Sequence, residues 1–231
     1  MKHLSAENTK KVFYTLKNLS DTRWSCRADA VKALVHGYKS ILNALTEICN
    51  DAGQKDIVKC QARSLYQNMS RLETSIYTQF WHEILEGFGS TIRYLQNSTM
   101  ILSTALNLLK SLTSFVESKR DAFDSYETAG KELSDVQEYQ NSRVRSLNVP
   151  LKPIDYGKAS AVQLSPKEKF RTESFLPVID RLIVSLRERM SAYQVANERF
   201  GFFAEISTMK NSELTLAAKK LVHFLSSRFG S

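Results

Sequence analysis

The chain has 231 residues, of which 42% are hydrophobic and 24% are charged, an ordinary composition for a globular protein with a sizeable core. Eight glycines and four prolines are too few for the many turns of a β-sandwich and favour long helices. The formal net charge of +8 suits a polyanion such as nucleic acid, and charge that serves only solubility is the open alternative.

Cysteine usage and hydropathy indicate an intracellular location. Cys26, Cys49 and Cys60 are an odd, widely spaced set, so we predict reduced thiols and no disulfide framework. No apolar run is long enough to span a bilayer, and the first residues lack the apolar core of a signal peptide. We therefore expect an intracellular protein without a membrane partner.

Helical periodicity dominates the chain from Trp24 onward. Apolar residues at steps of three and four predict a helix over about residues 24–49, ended by a turn. A second periodic stretch covers about residues 56–88, and Gly87 and Gly89 at its end predict a break or kink. The third stretch starts near residue 90 and is either one long helix to about residue 142 or two helices joined near Gly130.

A basic, proline-containing stretch, residues 143–165, is the best linker candidate in the chain. Ser165-Pro-Lys-Glu168 then has the residues of a capping box with proline at the first helical position, which predicts a helix start. Pro177 predicts a kink or a local restart of that helix.

In the last part of the chain, the sequence pattern predicts one turn and one helix. The aromatic segment 200–206 is expected to be a tight turn that packs into the core, and a final helix is expected at about residues 212–227.

These patterns predict an all-α fold, a bundle of about five to seven helices, several of them long, with a basic loop near residues 143–165. Residues 1–142 form the N-terminal helical part and residues 166–231 form the C-terminal helical part. We expect the two parts to pack together as one domain.

The residues around Trp24 are the first candidate site for nucleic acid. An indole offers a flat surface on which a base can stack, and Arg23 and Arg27 beside it can pair with phosphates. The alternative is structural: Trp24 anchors the start of the helix in the core, and Arg23 pairs with a nearby carboxylate.

A second basic group comprises Lys158, Lys167 and Lys169, at the end of the linker and the start of the next helix. A helix N-terminus with nearby lysines can hold phosphate, although a solvated loop explains the same residues.

No nucleophile–base set, phosphate-binding glycine loop or metal motif is present in the sequence. His82, Glu83 and Glu86 lie within about one helical turn, but no further ligands lie close in sequence. We therefore predict no metal site, no cofactor and no small-molecule substrate.

The stretch Leu19-Ser-Asp-Thr-Arg-Trp-Ser-Cys-Arg27 resembles a motif of hAT-superfamily transposases, and most closely the zinc finger MYM-type protein 1-like group. Later stretches resemble segments of the same family in the same order, and they are Trp81-His-Glu-Ile-Leu85, Tyr94-Leu-Gln96, Arg120-Asp-Ala-Phe123, Phe175-Leu-Pro-Val-Ile-Asp180 and Leu186-Arg-Glu-Arg189. The resemblance covers about residues 14–225.

The resemblance implies a helical insertion domain from an RNase H-like transposase. In that family two catalytic aspartates precede the Arg-Trp motif and a glutamate follows the insertion, and the motif's tryptophan, here Trp24, handles DNA near the cleavage site. This chain offers no matching aspartates before the motif and ends at Ser231. Because metal-assisted cleavage needs those carboxylates, we expect no nuclease or transposase activity.

The expected function is that of a non-catalytic, transposase-derived domain that contacts DNA in the nucleus. A scaffold for protein–protein interaction or self-association is the alternative, motivated by the long helical stretch over residues 90–142. A transposon relic without a selected role is a third possibility.

Overall fold

The computed structural model describes residues 24–97, 100–140 and 164–229, and these residues are almost entirely helical. The α-helices are α1 (Trp24–Asn50), α2 (Asp56–Met69), α3 (Leu72–Leu95), α4 (Leu102–Ser118), α5 (Phe123–Ser134), α6 (Pro166–Phe170), α7 (Leu176–Phe200) and α8 (Asn211–Phe229). A π-helical turn, Arg171–Phe175, joins α6 to α7, and a 3-10 helix, Gly201–Ala204, follows α7.

With α6 and α7 counted as one continuous helix, the described residues form seven helices and no strand. The predicted all-α bundle of five to seven helices is therefore confirmed. Nearly all of the predicted basic loop, residues 143–163, lies outside the described residues.

The helices group into two compact units. The first contains α1, α2, the part of α3 up to Leu85, and residues 129–137. The second contains residues 86–128 and the chain from residue 138 onward. The boundaries therefore fall inside α3, inside α5 and shortly after α5. The predicted division at residues 142 and 166 borders the undescribed loop and stays a prediction.

In the first unit α1 packs against α2, and Tyr38 is the buried anchor of that contact. Its hydroxyl donates a hydrogen bond of 2.6 Å to the backbone carbonyl of Met69, and burial raises the pKa of Tyr38 to about 12. The Thr74 hydroxyl donates in the same way to the carbonyl of Asn68, at 2.7 Å. These two carbonyls belong to the last turn of α2, where a helix needs outside partners.

The expectation of one periodic stretch over residues 56–88 is therefore wrong, since the chain breaks between α2 and α3 at Ser70 and Arg71. The hydroxyls of Tyr38 and Thr74 donate hydrogen bonds to the carbonyls of Met69 and Asn68, which would otherwise accept N–H groups from the next turn of the helix. Periodicity does not register this break because the apolar stripe resumes in phase after it.

Of the break or kink expected at Gly87 and Gly89, the break is wrong, because α3 continues through both residues to Leu95. A Cβ atom on Gly87 would lie 2.7 Å from the ring of Phe115 in α4, so this glycine permits a close approach of two helices in the second unit. No atom lies within 4 Å of the equivalent position at Gly89.

Gly130 likewise lies inside a helix rather than at a joint. A Cβ atom there would lie 2.9 Å from Cγ1 and 3.0 Å from the backbone nitrogen of Ile76, which places α5 directly against α3 in the first unit. Close by, the Ser134 hydroxyl donates to Ser75 at 3.2 Å, and both serines are buried. The third periodic stretch, expected from about residue 90 to about residue 142, is instead interrupted between α3 and α4 and again at residues 119–122, and its last helix, α5, ends at Ser134.

The core of the second unit lies between α4 and the first half of α7. Its side chains are all less than a tenth exposed, and they include Leu106, Leu109, Leu112 and Val116 from α4, Phe123 and Tyr126 from α5, Phe175 from the π turn, and Ile179, Ile183 and Leu186 from α7. Rings of Phe123 and Phe175 meet edge to face, with centroids 5.1 Å apart.

The predicted start of the C-terminal helices is confirmed. Ser165 caps α6 by accepting the backbone N–H of Glu168 at 3.2 Å, and the Glu168 carboxylate accepts the backbone N–H of Ser165 at 3.0 Å. The irregularity expected at Pro177 takes the form of the π turn just before it, a local widening that accommodates a residue without an N–H donor.

Candidate functional site

The predicted DNA-contacting residues near the start of α1 are described only in part. Arg27 is an exposed side chain on the first turns of the helix. Trp24 is the first residue of α1, but its side chain lies outside the described residues, as do Arg23 and Lys158 entirely. The role of these residues stays a prediction.

Lys167, at the start of α6, pairs with two carboxylates of its own unit. Its Nζ lies 2.7 Å from Oδ1 of Asp124 and 2.6 Å from Oε2 of Glu127, and 5.8 Å from the ring centre of Phe123. Hydrogen bonds to Asp124 and Glu127 raise the pKa of Lys167, and the bond from Lys167 lowers the pKa of Asp124. Binding of a phosphate by Lys167 would require exchange of these partners; its neighbour Lys169 is half-buried.

Two stretches that carry the resemblance contact each other in the second unit. Arg120 forms an ion pair with Asp180, and the Phe123–Phe175 ring contact lies beside it. These side chains therefore hold the start of α5 against α7. Packing alone accounts for their presence, whatever the ancestry of the chain.

The positive charge of the chain is concentrated outside the described helices. Residues 1–23 and 141–163 together hold nine basic and three acidic residues, a net charge of +6. The remaining residues hold 23 basic and 21 acidic residues, a net charge of only +2. A polyanion that is attracted by the overall charge of +8 would thus be attracted mainly by two segments, the N-terminal residues 1–23 and the linker residues 141–163.

The end of the second unit exposes its apolar side chains. We call residues 191–229 the C-terminal arm, which comprises the second half of α7, the 3-10 helix and α8. None of its described side chains is buried. Its large apolar residues that are at least 36% exposed are Tyr193, Val195, Phe200, Phe203, Ile206, Leu216 and Val222.

The prediction that residues 200–206 pack into the core is therefore wrong. Phe203 is 52% exposed and Ile206 is 47% exposed. The segment forms a 3-10 turn, in which successive side chains point about a third of a turn apart, so neighbouring aromatic residues cannot all face one core. Phe203 stacks on Phe202 instead, with ring centroids 4.2 Å apart.

A groove with a volume of about 690 Å³ runs along one face of α8. We call it the outer groove. Its described lining is Leu214, Thr215, Ala218, Lys219, Val222, His223 and Ser226. Leu214, Ala218 and Val222 are spaced four residues apart and form its apolar floor, with Lys219 and His223 along one edge.

The opposite face of α8 borders a second cavity, of about 650 Å³, between α8 and the end of α7. We call it the inner cleft. Phe224 lines it, with the guanidinium carbon of Arg199 at 3.8 Å from its ring centre. Leu216 and Lys220 line it as well, together with three glutamates, Glu198, Glu205 and Glu213.

The sequence predicts α8 but not its two faces. Leu214, Ala217, Ala218, Leu221 and Val222 read as one stripe, whereas the structure assigns Leu214, Ala218 and Val222 to the outer groove and Ala217 and Leu221 to the inner cleft. Apolar residues occur in adjacent pairs at 217–218 and 221–222, so the apolar stripe is wider than one that packs against a single helix. This width is the feature of the sequence that indicates two apolar faces.

In the described part of the chain, no group of three or more His, Cys, Asp or Glu side chains is placed to hold a metal ion. None of the described helices combines the length and the apolar character that crossing a membrane requires. Comparison of the chain with protein families, curated proteins and solved structures finds no match.

Proposed function

We propose that this chain is a helix-binding interaction module, and that the outer groove of its C-terminal arm receives the apolar face of a partner helix. The observation that carries the proposal is that the arm holds seven large exposed apolar side chains and, among its described residues, no buried one. An accumulation of exposed apolar side chains on one segment is typical of interaction sites, and Val222, the most exposed of the seven, lines the outer groove.

The shape of the groove supports a helical partner. Its lining runs from Leu214 to Ser226 along the axis of α8, which corresponds to about 18 Å at the helical rise per residue. That length accommodates about three turns of a second helix. The small side chain of Ala218 lies between the larger Leu214 and Val222, so a partner helix can approach closely at the centre.

Two synthetic helical peptides of about 20 residues test the proposal. Both carry leucines at helical spacing, one with glutamates and one with lysines along the edges of the stripe. At least one is expected to bind the full chain in a fluorescence anisotropy titration. A twin with central prolines should not bind, because proline prevents the helix.

Val222→Gln and Leu216→Gln are a matched pair of variants for this titration. Both residues lie on α8 and have similar exposure, 61% and 57%, but only Val222 lines the outer groove. Val222→Gln should weaken binding about tenfold, the loss expected when one aliphatic contact is removed. Leu216→Gln should leave it unchanged. Absence of binding by either peptide, or equal weakening by both variants, would refute the proposal.

We also propose DNA contact as a second function, through Arg23, Trp24 and Arg27 together with the basic segment that contains Lys158. The concentration of net charge in residues 1–23 and 141–163 supports it, because an excess of basic over acidic residues attracts phosphates. Duplex DNA should bind at low salt and be released at high salt, and Trp24→Ala should weaken it about tenfold. No binding at low salt would contradict this function.

An origin from a hAT-superfamily transposase stays a proposal, supported by the order of the motifs in the sequence. Absence of catalysis and location in the nucleus are proposals that rest on the same resemblance. An assay of strand cleavage with Mg²⁺ or Mn²⁺ tests the first, and imaging of the tagged chain tests the second.

A further inference from the structure

We infer that the partner of the outer groove is an acidic amphipathic helix, one whose apolar stripe is bordered by Asp or Glu. The inference rests on the proposed function, since it names the chemistry of the partner for the same groove. It comes from the charges that border the apolar floor.

The two faces of α8 differ in the sign of their charges. In the outer groove, Lys219 is the charged residue among the described lining and His223 lies one turn away, with no carboxylate. In the inner cleft, Glu198, Glu205 and Glu213 outnumber the two basic residues. On α8 itself no acidic residue occurs from Leu214 to the end of the helix, so the carboxylates of the inner cleft come from Glu213 and from residues that precede α8.

A partner helix in the outer groove would lie with one edge along Lys219 and His223. An acidic edge there gains opposite-charge contacts at the rim, which set partner choice and association rate more than raw affinity. A partner helix with a basic edge would place a like charge beside Lys219 and be repelled. The apolar floor is the same for both, so the edge is what discriminates.

A second copy of the arm does not satisfy this requirement. In an antiparallel pair of identical helices related by a two-fold axis, equivalent edges meet, so Lys219 and His223 would face their own copies. The segments 1–23 and 141–163 of the chain also carry the wrong sign, at +3 each. An acidic partner chain is the occupant that the charges favour.

Nucleic acid is the other acidic macromolecule, and the floor of the groove disfavours it. Proteins bind phosphates with basic and hydrogen-bonding groups. A nucleic acid in the outer groove would therefore make no apolar contact with the floor of Leu214, Ala218 and Val222. The leucine stripe of an amphipathic helix covers that floor.

Adjacent lysines provide the test. Lys219 lines the outer groove and Lys220 lines the inner cleft, so Lys219→Glu and Lys220→Glu make the same charge change on opposite faces of α8. The acidic and basic peptides described above are titrated into the full chain and both variants at physiological salt, where charges more than about 8 Å apart are largely screened. A 20-base-pair duplex is titrated in parallel.

The wild-type chain should bind the acidic peptide about fivefold more tightly than the basic one. Lys219→Glu should reverse that preference, and Lys220→Glu should preserve it. Circular dichroism of both variants should show unchanged helix content, because both lysines are exposed.

Each contrary outcome has its own meaning. If both peptides bind equally well and Val222→Gln weakens both, the proposed function stands and the acidic partner is wrong. If neither peptide binds, the proposed function fails with it. If Lys219→Glu abolishes binding of the duplex while Lys220→Glu does not, the groove belongs to nucleic acid and the inference is overturned.

Discussion

Helix α7 is one continuous α-helix with two different environments. Its first half buries Ile179, Ile183 and Leu186 against α4, at 0%, 6% and 2% exposure. Its second half, which belongs to the C-terminal arm, leaves Tyr193 and Val195 at least 36% exposed. Both halves carry apolar residues, so composition does not separate them.

The same kind of apolar side chain therefore has a different role in each half of α7. In the first half it is matched by a facing helix, and burial stabilises the fold. In the second half it faces solvent, where it is available to another molecule. Stability should therefore respond to mutations in the first half of α7, and binding should respond to mutations in the outer groove along α8.

The largest contrast is expected between Ile183→Ala and Val195→Ala. The first leaves a cavity in a packed core and should lower the free energy of unfolding by about 3 kcal/mol. The second removes an exposed side chain and should change it by less than about 0.5 kcal/mol. Urea unfolding of both variants measures the two values, and equal losses would show that the arm is as tightly packed as the core.

A smaller contrast is expected between Gly87→Ala and Gly201→Ala. A Cβ at Gly87 would meet the ring of Phe115, half-buried between helices, so we expect a loss of about 1 kcal/mol despite the better helix propensity of alanine. A Cβ at Gly201 would lie 2.8 Å from Oδ1 of Asn197, a side-chain amide that can rotate away. The unfolding midpoint of Gly201→Ala should be unchanged or slightly raised, and a marked fall in the midpoint of this variant would contradict a loosely packed arm.

The smallest expected effect concerns the ion pair of Lys167 with Asp124. Lys167 lowers the pKa of Asp124, so the pair stabilises the fold above the unfolded pKa of about 4 and loses its effect as the pH falls through the lowered pKa. Because Asp124 is 75% exposed, Asp124→Asn should cost less than about 1 kcal/mol at pH 7.

Thermal unfolding from pH 7 to pH 2 should show the stability of the wild type and of Asp124→Asn converging as the pH decreases. A constant difference over that range would mean that the carboxylate charge is irrelevant to this contact. The arm has no part in it, so the variant should bind the helical peptides like the wild type.

Sequence reasoning recovers the elements whose signals are local. The helix over residues 24–50, the capping box at Ser165 and the final helix follow from periodicity and cap chemistry, and the structure agrees to within a few residues. The all-α class follows from the same signals.

The errors arise where a contact between distant residues decides the local structure. The break after Met69 depends on the Tyr38 hydroxyl, 31 residues earlier in the chain. The unbroken helix at Gly87 depends on Phe115, which fills the space that a side chain would need. Neither partner can be identified from local pattern, because each is brought close only by the packing of two helices.

The sequence does not predict the outer groove, and the predicted DNA site stays a prediction. Of the residues predicted to contact DNA, Arg23, Lys158 and the Trp24 side chain lie outside the described residues, and Lys167 is paired with two carboxylates. Apolar residues at helical spacing ordinarily indicate a core-facing stripe, and only the three-dimensional arrangement shows that nothing in the described chain buries Val222.

Hydrogen–deuterium exchange with and without the acidic peptide tests the central claim most directly. In the free chain, amides of α8 should exchange much faster than those of α4, since the arm buries no described side chain. Added peptide should slow exchange in residues 211–229 and leave α4 unchanged. Slow exchange of α8 in the free chain, with no change on addition of either peptide, would contradict the account.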